Sequence, residues 1–131
     1  MFWKSSLVIG AALSLCAFPA GAQQSAEFAA CMKQADGVTN GMLDCGKAEI
    51  ARWDRRLNAA YQTLLHRLKG ADRAQLQQEQ RAWLKHHLRE TRRLAANPDN
   101  GSVAFLESQS FELDDLIERT RVLEKRVDAE P

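Results

Sequence analysis

The chain has 131 residues, 18 Lys and Arg against 17 Asp and Glu, 45% hydrophobic residues and three cysteines. That length holds one domain with one modest core and leaves no room for a second. The near-balance of charge and the lack of an aromatic-studded basic motif argue against nucleic acid as a partner.

The first 22 residues read as a secretory signal peptide. Lys4 supplies a positive start, Leu7 through Phe18 an apolar run, and Ala20-Gly21-Ala22 a small-x-small cleavage site. The run is shorter than the roughly 20 apolar residues of a membrane span, and Pro19 closes it. The mature protein is therefore expected to begin at Gln23, periplasmic or secreted, as a single domain over residues 23–131 with no membrane span. A lipid anchor on Cys16 is the rival reading; it is disfavoured because Leu15 precedes the cysteine where a small residue is usual, and the cleavage site lies downstream.

Everything after Gln23 reads as helix. Ser25 is placed to cap a short first helix carrying Phe28, Cys31 and Met32, which ends near Asp36-Gly37. Thr39 or Asn40 is expected to cap the second, and Gly70 to end it. Its apolar positions Ile50, Trp53, Leu57, Tyr61, Leu64 and Leu68 recur at steps of three and four, which draws one stripe along an α-helix. Once Cys16 leaves with the signal peptide, Cys31 and Cys45 remain, and two thiols in an oxidising compartment are expected to pair. Their spacing suits a structural staple better than the Cys-x-x-Cys of a redox site.

Asp72 with Gln75 resembles a capping box for a third helix, with the inward stripe Leu76, Gln80, Trp83, His87, Thr91 and Leu94. Asn97-Pro98-Asp99-Asn100-Gly101 breaks it, and Ser102 is expected to cap a fourth helix whose core positions are Leu106, Gln109, Leu113, Leu116, Thr120, Leu123 and Val127. The expected fold is all-α: a small antiparallel bundle of three long helices plus the short disulfide-stapled first one.

Charge is unevenly spread along the chain. Residues 47–93 carry twelve bases and five acids, whereas residues 99–131 carry nine acids and four bases. Oppositely charged helices packing side by side explain this first, and a partner-binding face second. Arg52, Arg55, Arg56, Arg81, Lys85, Arg89, Arg92 and Arg93 read likewise as solvated helix faces before an anionic-surface site. On the fourth helix Glu107, Phe111, Asp114 and Glu118 share a stripe away from the core positions, with Asp115 beside them. An aromatic within acids suits contact with a basic partner, because aromatics anchor interfaces and charges steer encounter.

Catalytic and metal signals are weak. Adjacent His86 and His87 point about 100° apart on a helix. His86 and Glu90 share a face, but two ligands do not make a zinc site. No nucleophile elbow, phosphate loop or HExxH motif is present, and no cofactor is implied.

Cys31, Thr39, Met42 and Cys45, then Leu57-Asn58-x-x-Tyr61, then Gln80-Arg81-x-Trp83-Leu84, and last Gly101-Ser102 and Arg119-Thr120 with Leu123, form an ordered pattern. It resembles the lysozyme inhibitor LprI N-terminal domain family of small exported bacterial proteins, from about Cys31 to Leu123. Members commonly carry two further cysteines; here those places hold Thr91 and, by spacing, Ser110 or Phe111, so a second disulfide is lost as a unit and a phenyl ring near Thr91 is expected to fill its place. The resemblance implies an α-helical periplasmic domain that is not an enzyme and acts on a basic lysozyme-type muramidase. Glu107, Phe111, Asp114, Asp115 and Glu118 are the candidate contact residues. The alternative is a structural or stress-related envelope protein that binds other proteins through helical surface.

Overall fold

The computed structural model describes residues 24–129. These form four helices: α1 (Ala26–Ala35), α2 (Thr39–Arg67), α3 (Gly70–Ala95) and α4 (Val103–Ala129), with no strand among the described residues. The expected signal peptide, its cleavage site and Cys16 lie outside them. No helix among the described residues is long and apolar enough to cross a membrane.

Ser25 caps α1 as its sequence suggests: its extended backbone turns the chain in, and its hydroxyl accepts from the Phe28 N–H at 3.1 Å. Asp36 and Gly37, with φ of 46° and 76°, end the helix in the left-handed region. The same serine also reaches α2. Its N–H and hydroxyl donate to the two Glu49 carboxylate oxygens at 2.8 and 2.6 Å, while Arg52 Nε and Trp53 Nε1 donate to the same carboxylate at 2.8 and 3.0 Å. Glu49 is fully buried. Burial pushes its pKa up, but the hydrogen bonds from Ser25, Arg52 and Trp53 together outweigh that and hold it below the ordinary carboxylate value. One turn earlier in α2, Cys45 is bonded to Cys31 with Cα atoms 5.6 Å apart. α1 is thus fastened antiparallel to α2 at its N-cap and at its middle.

Three helix boundaries differ from the sequence reading. α2 begins one residue earlier than a Thr39 cap allows, at an N-cap Val38 with no side-chain hydrogen bond. It ends at Arg67 because Leu68 turns extended and drops into the core. Gly70 does not terminate α2; with φ of 54° it opens α3, which follows an extended Lys69 without a side-chain cap, so Asp72 sits inside the first turn. Gly70 is needed there because the two-residue connection must reverse the chain in a conformation that L-residues rarely adopt. The break before α4 falls where expected, with an Asx turn from Asn97 to the Asp99 N–H at 3.2 Å and Gly101 at φ 51°.

α4 is the shared helix. It packs along both α2 and α3, which scarcely touch each other. Against α2 it runs parallel: Gln109 Nε2 donates to the Leu43 carbonyl at 2.9 Å, and Arg56 makes a two-pronged ion pair with Glu124 at 2.8 and 2.7 Å. Against α3 it runs antiparallel, joining Gln80 to Arg119, His87 to Asp115 and Thr91 to Ser108. Oppositely charged helices therefore do pack together, as the uneven charge suggests. The core comprises Trp53, Leu57 and Leu64 of α2, Leu68 just after it, Leu76 of α3, and Leu113, Leu116, Ile117 and Leu123 of α4. Gly46 is buried where α2 meets Gln109, and a β-carbon there would strike the Gln109 amide.

Reduction of the Cys31–Cys45 bond releases a loop of 14 residues' separation and is expected to cost about 3 kcal/mol, read as a fall of 10 °C or more (about 4–8 °C per kcal/mol) in melting temperature. Unchanged melting on reduction would contradict the staple. Glu49→Ala is expected to cost about 3 kcal/mol or more, because four hydrogen bonds lose their acceptor in a buried place. A depressed folded pKa gives stability that is complete above the unfolded carboxylate pKa and lost as pH falls through the folded one. The wild type should therefore lose stability on acidification below the ordinary Glu range, and Glu49→Gln should lose less over the same interval in urea titrations.

Candidate functional site

Two surfaces of α4 remain open once its neighbours are in place. The outer one carries acids. The positions buried in the bundle include Ala104, Ser108, Leu113, Leu116, Ile117, Thr120 and Leu123, so Glu107, Asp114 and Glu118 project away, all exposed. Glu107 accepts from Asn100 Nδ2 at 2.7 Å. Phe111 lies half-buried at the edge of this stripe, its ring 6.3 Å from the His86 ring and 6.2 Å from the His87 ring. Asp115, grouped with these acids in the sequence reading, turns the other way, towards α3. Its Oδ2 is 2.6 Å from His87 Nδ1, with side-chain exposures of 19% and 8%.

The antiparallel register of α3 and α4 brings Ser108 to Thr91, its hydroxyl donating to the Thr91 carbonyl at 2.7 Å. Phe111, three residues further along α4, sets its ring beside His86 and His87, one helical turn from Thr91.

The inner surface is a groove of about 520 Å³ between α2 and α3, floored by α4. Ile50, Asn58 and Tyr61 of α2 form one wall and Trp83, Leu84 and Leu88 of α3 the other, with Leu57, Leu116 and His87 at the base. Asp54, Arg81 and Glu112 also line it. Trp83 packs its ring 4.8 Å from that of His87. Its Nε1 and the Nη2 of Arg119 are buried without hydrogen-bond partners among the described residues. Desolvation at this interface lowers the Arg119 pKa from its ordinary value, although Nε is satisfied by Gln80 Oε1 at 2.9 Å. Leu84 and Leu88, 45% and 41% exposed, form an apolar rim.

Sequence reasoning placed His87 on the inward stripe of α3 but missed its pairing with Asp115, because the pair is separated by 28 positions and set only by helix register. It missed the groove for the same reason. No cluster of three or more His, Cys, Asp or Glu able to hold a metal occurs among the described residues.

The described residues form a small all-α domain with one disulfide, an acidic helix face and an open groove. The chain belongs to the lysozyme inhibitor LprI family, whose model matches residues 31–123. No curated protein and no solved structure matches it.

The His87–Asp115 pair and Phe111 have separable effects on stability. Asp115→Ala leaves a buried imidazole nitrogen without its partner and is expected to cost about 1–3 kcal/mol, whereas Asp115→Asn retains an acceptor and should cost less. Phe111→Ala is expected to cost about 1–2 kcal/mol, below the roughly 3–5 of a fully buried phenylalanine. Denaturant midpoints at constant slope measure all three.

Proposed function

We propose that this is an exported, non-enzymatic domain that binds and inhibits a basic lysozyme-type muramidase, with the outer face of α4 as its contact surface. Membership of the lysozyme inhibitor LprI family across residues 31–123 carries the reading. The exposure of Glu107, Asp114 and Glu118, none of them engaged in packing the bundle, supports the choice of face. Phe111 at the edge of that face offers an aromatic anchor within reach of the acids, and Asp115 contributes by holding His87, against which the Phe111 ring packs.

The mechanism is obstruction. A row of carboxylates on a rigid helix attracts a basic enzyme and orients it, and the bulk of the bundle then blocks the glycan cleft. Rigidity matters because a surface already ordered before binding spends little conformational entropy on association. The disulfide and the Glu49 network provide that order at the end of the bundle that α1 covers.

The test is lysis of a peptidoglycan suspension by several lysozyme types, titrated with the disulfide-bonded protein. Inhibition is expected to weaken with added salt, as the Debye length shortens from about 10 Å at 0.1 M towards about 3 Å at 1 M. Asp114→Lys combined with Glu118→Lys should weaken it by tenfold or more (about 1.4 kcal/mol) while leaving the helical spectrum intact, since both positions are exposed. Absence of inhibition of every lysozyme type at large molar excess would remove the proposal.

A further inference from the structure

We propose that the groove between α2 and α3 binds a neutral pyranose oligosaccharide, at a site separate from the acidic face. Glu112 in the groove and Asp114 on the outer face are two residues apart on one helix, hence about 200° apart around it. A ligand in the groove therefore does not occupy the surface proposed for the muramidase.

Shape and chemistry point to this class of ligand. The groove's volume of about 520 Å³ falls within the roughly 300–1,000 Å³ of small-molecule sites, and it opens to solvent. A pyranose presents C–H-rich faces and hydroxyl-rich edges. Trp83, Tyr61, Ile50 and Leu116 provide aromatic and aliphatic surface for the faces. For the edges, the Asp54 and Glu112 carboxylates accept hydrogen bonds while the Asn58 amide and the Arg81 guanidinium donate them. Each hydroxyl does both, so a mixed set of donors and acceptors fits a polyol better than a phosphate or a polyamine. The two carboxylates outnumber the one guanidinium of Arg81, which disfavours an anionic ligand.

His87 supplies the second observation. It lines the groove and is 6% exposed, and its Nδ1 is held by Asp115 at 2.6 Å, so Nε2 is the ring nitrogen left without a hydrogen bond among the described residues. Nε2 is not among the buried unpaired atoms, so it is reachable from solvent, and a ligand hydroxyl satisfies it whether that hydroxyl donates or accepts. The Asp115 contact fixes the ring in place, so this atom is prepared before the ligand arrives.

The inference goes beyond the inhibitor reading and is tested without any lysozyme. The disulfide-bonded protein, labelled with ¹⁵N, is titrated separately with tri-N-acetylchitotriose and cellotriose. Saturable shifts are expected for the Trp83 indole N–H, the Asn58 amide and the backbone amides of Tyr61, Leu84 and Glu112 with at least one of them. Asn58→Ala and Glu112→Ala should each weaken binding about fivefold or more, the loss of one hydrogen bond. Neither side chain bridges two helices through a hydrogen bond or ion pair among the described residues, so the fold is retained; Asn58 bonds only Asp54 on its own helix. Asp114→Lys with Glu118→Lys should leave saccharide binding unchanged. No saturable shift with either sugar up to about 10 mM overturns the proposal. So does binding that the Asn58 and Glu112 variants do not weaken, and so do groove shifts produced by a lysozyme but by no sugar, which assign the groove to protein docking.

Discussion

Everything in this fold hangs on one helix serving two others. α4 buries residues towards both α2 and α3, and those two helices meet each other only slightly. A helix in that position needs an apolar sector wider than a single stripe, and α4 has it: Leu113 and Ile117 together with Leu116, Thr120 and Leu123 cover a broad arc. The consequence on the other side is a groove. Where α2 and α3 fail to close over α4, Leu57 and Leu116 become the floor of an open channel instead of the centre of a sealed core.

Two contacts between helices are ordered by polar groups as well as by apolar packing. Where α1 meets α2, Glu49 is satisfied by Ser25, Arg52 and Trp53, so a charge that would be costly alone becomes the point that joins the start of α1 to α2. Across α3 and α4 the His87–Asp115 pair has the same effect on register: sliding α4 by one turn separates the two and exposes Asp115 to apolar neighbours. A register defined this way places Ser108 under Thr91 and Phe111 beside His86 and His87.

The helical class, the four elements, the staple and most of the core were legible in the sequence because each depends on short-range periodicity or on cysteine number. Helix ends were less so. Val38 and Lys69 start helices with no side-chain capping bond, so they leave no mark for a reader looking for Ser, Thr, Asp or Asn. Gly70 has the residue type of a helix stop but is used as a helix start. Ile117 escaped a strict three-four count, which describes contact with one neighbour and not two. Glu49 looked like any surface glutamate on α2, since only the return of α1 brings Ser25 above it.

The same logic explains why the acids of α4 divide as they do. Positions 107, 114 and 118 repeat at steps of seven and four and stay on one outer face, whereas 112 and 115 are rotated from 114 by about 200° and 100° in the directions of the groove and of α3. Five carboxylates close together in the sequence therefore fall in three environments: solvent, the groove, and a hydrogen-bonded contact with His87. Charge on the outer face acts at long range and loses its influence in salt, while Glu112 in the groove and Asp115 at His87 act by direct contact and are screened much less. A chain of this size presents two surfaces on one helix because the groove and the outer face take opposite sides of it; the groove shares Leu57 and Leu116 with the core, whereas the outer acids take no part in it.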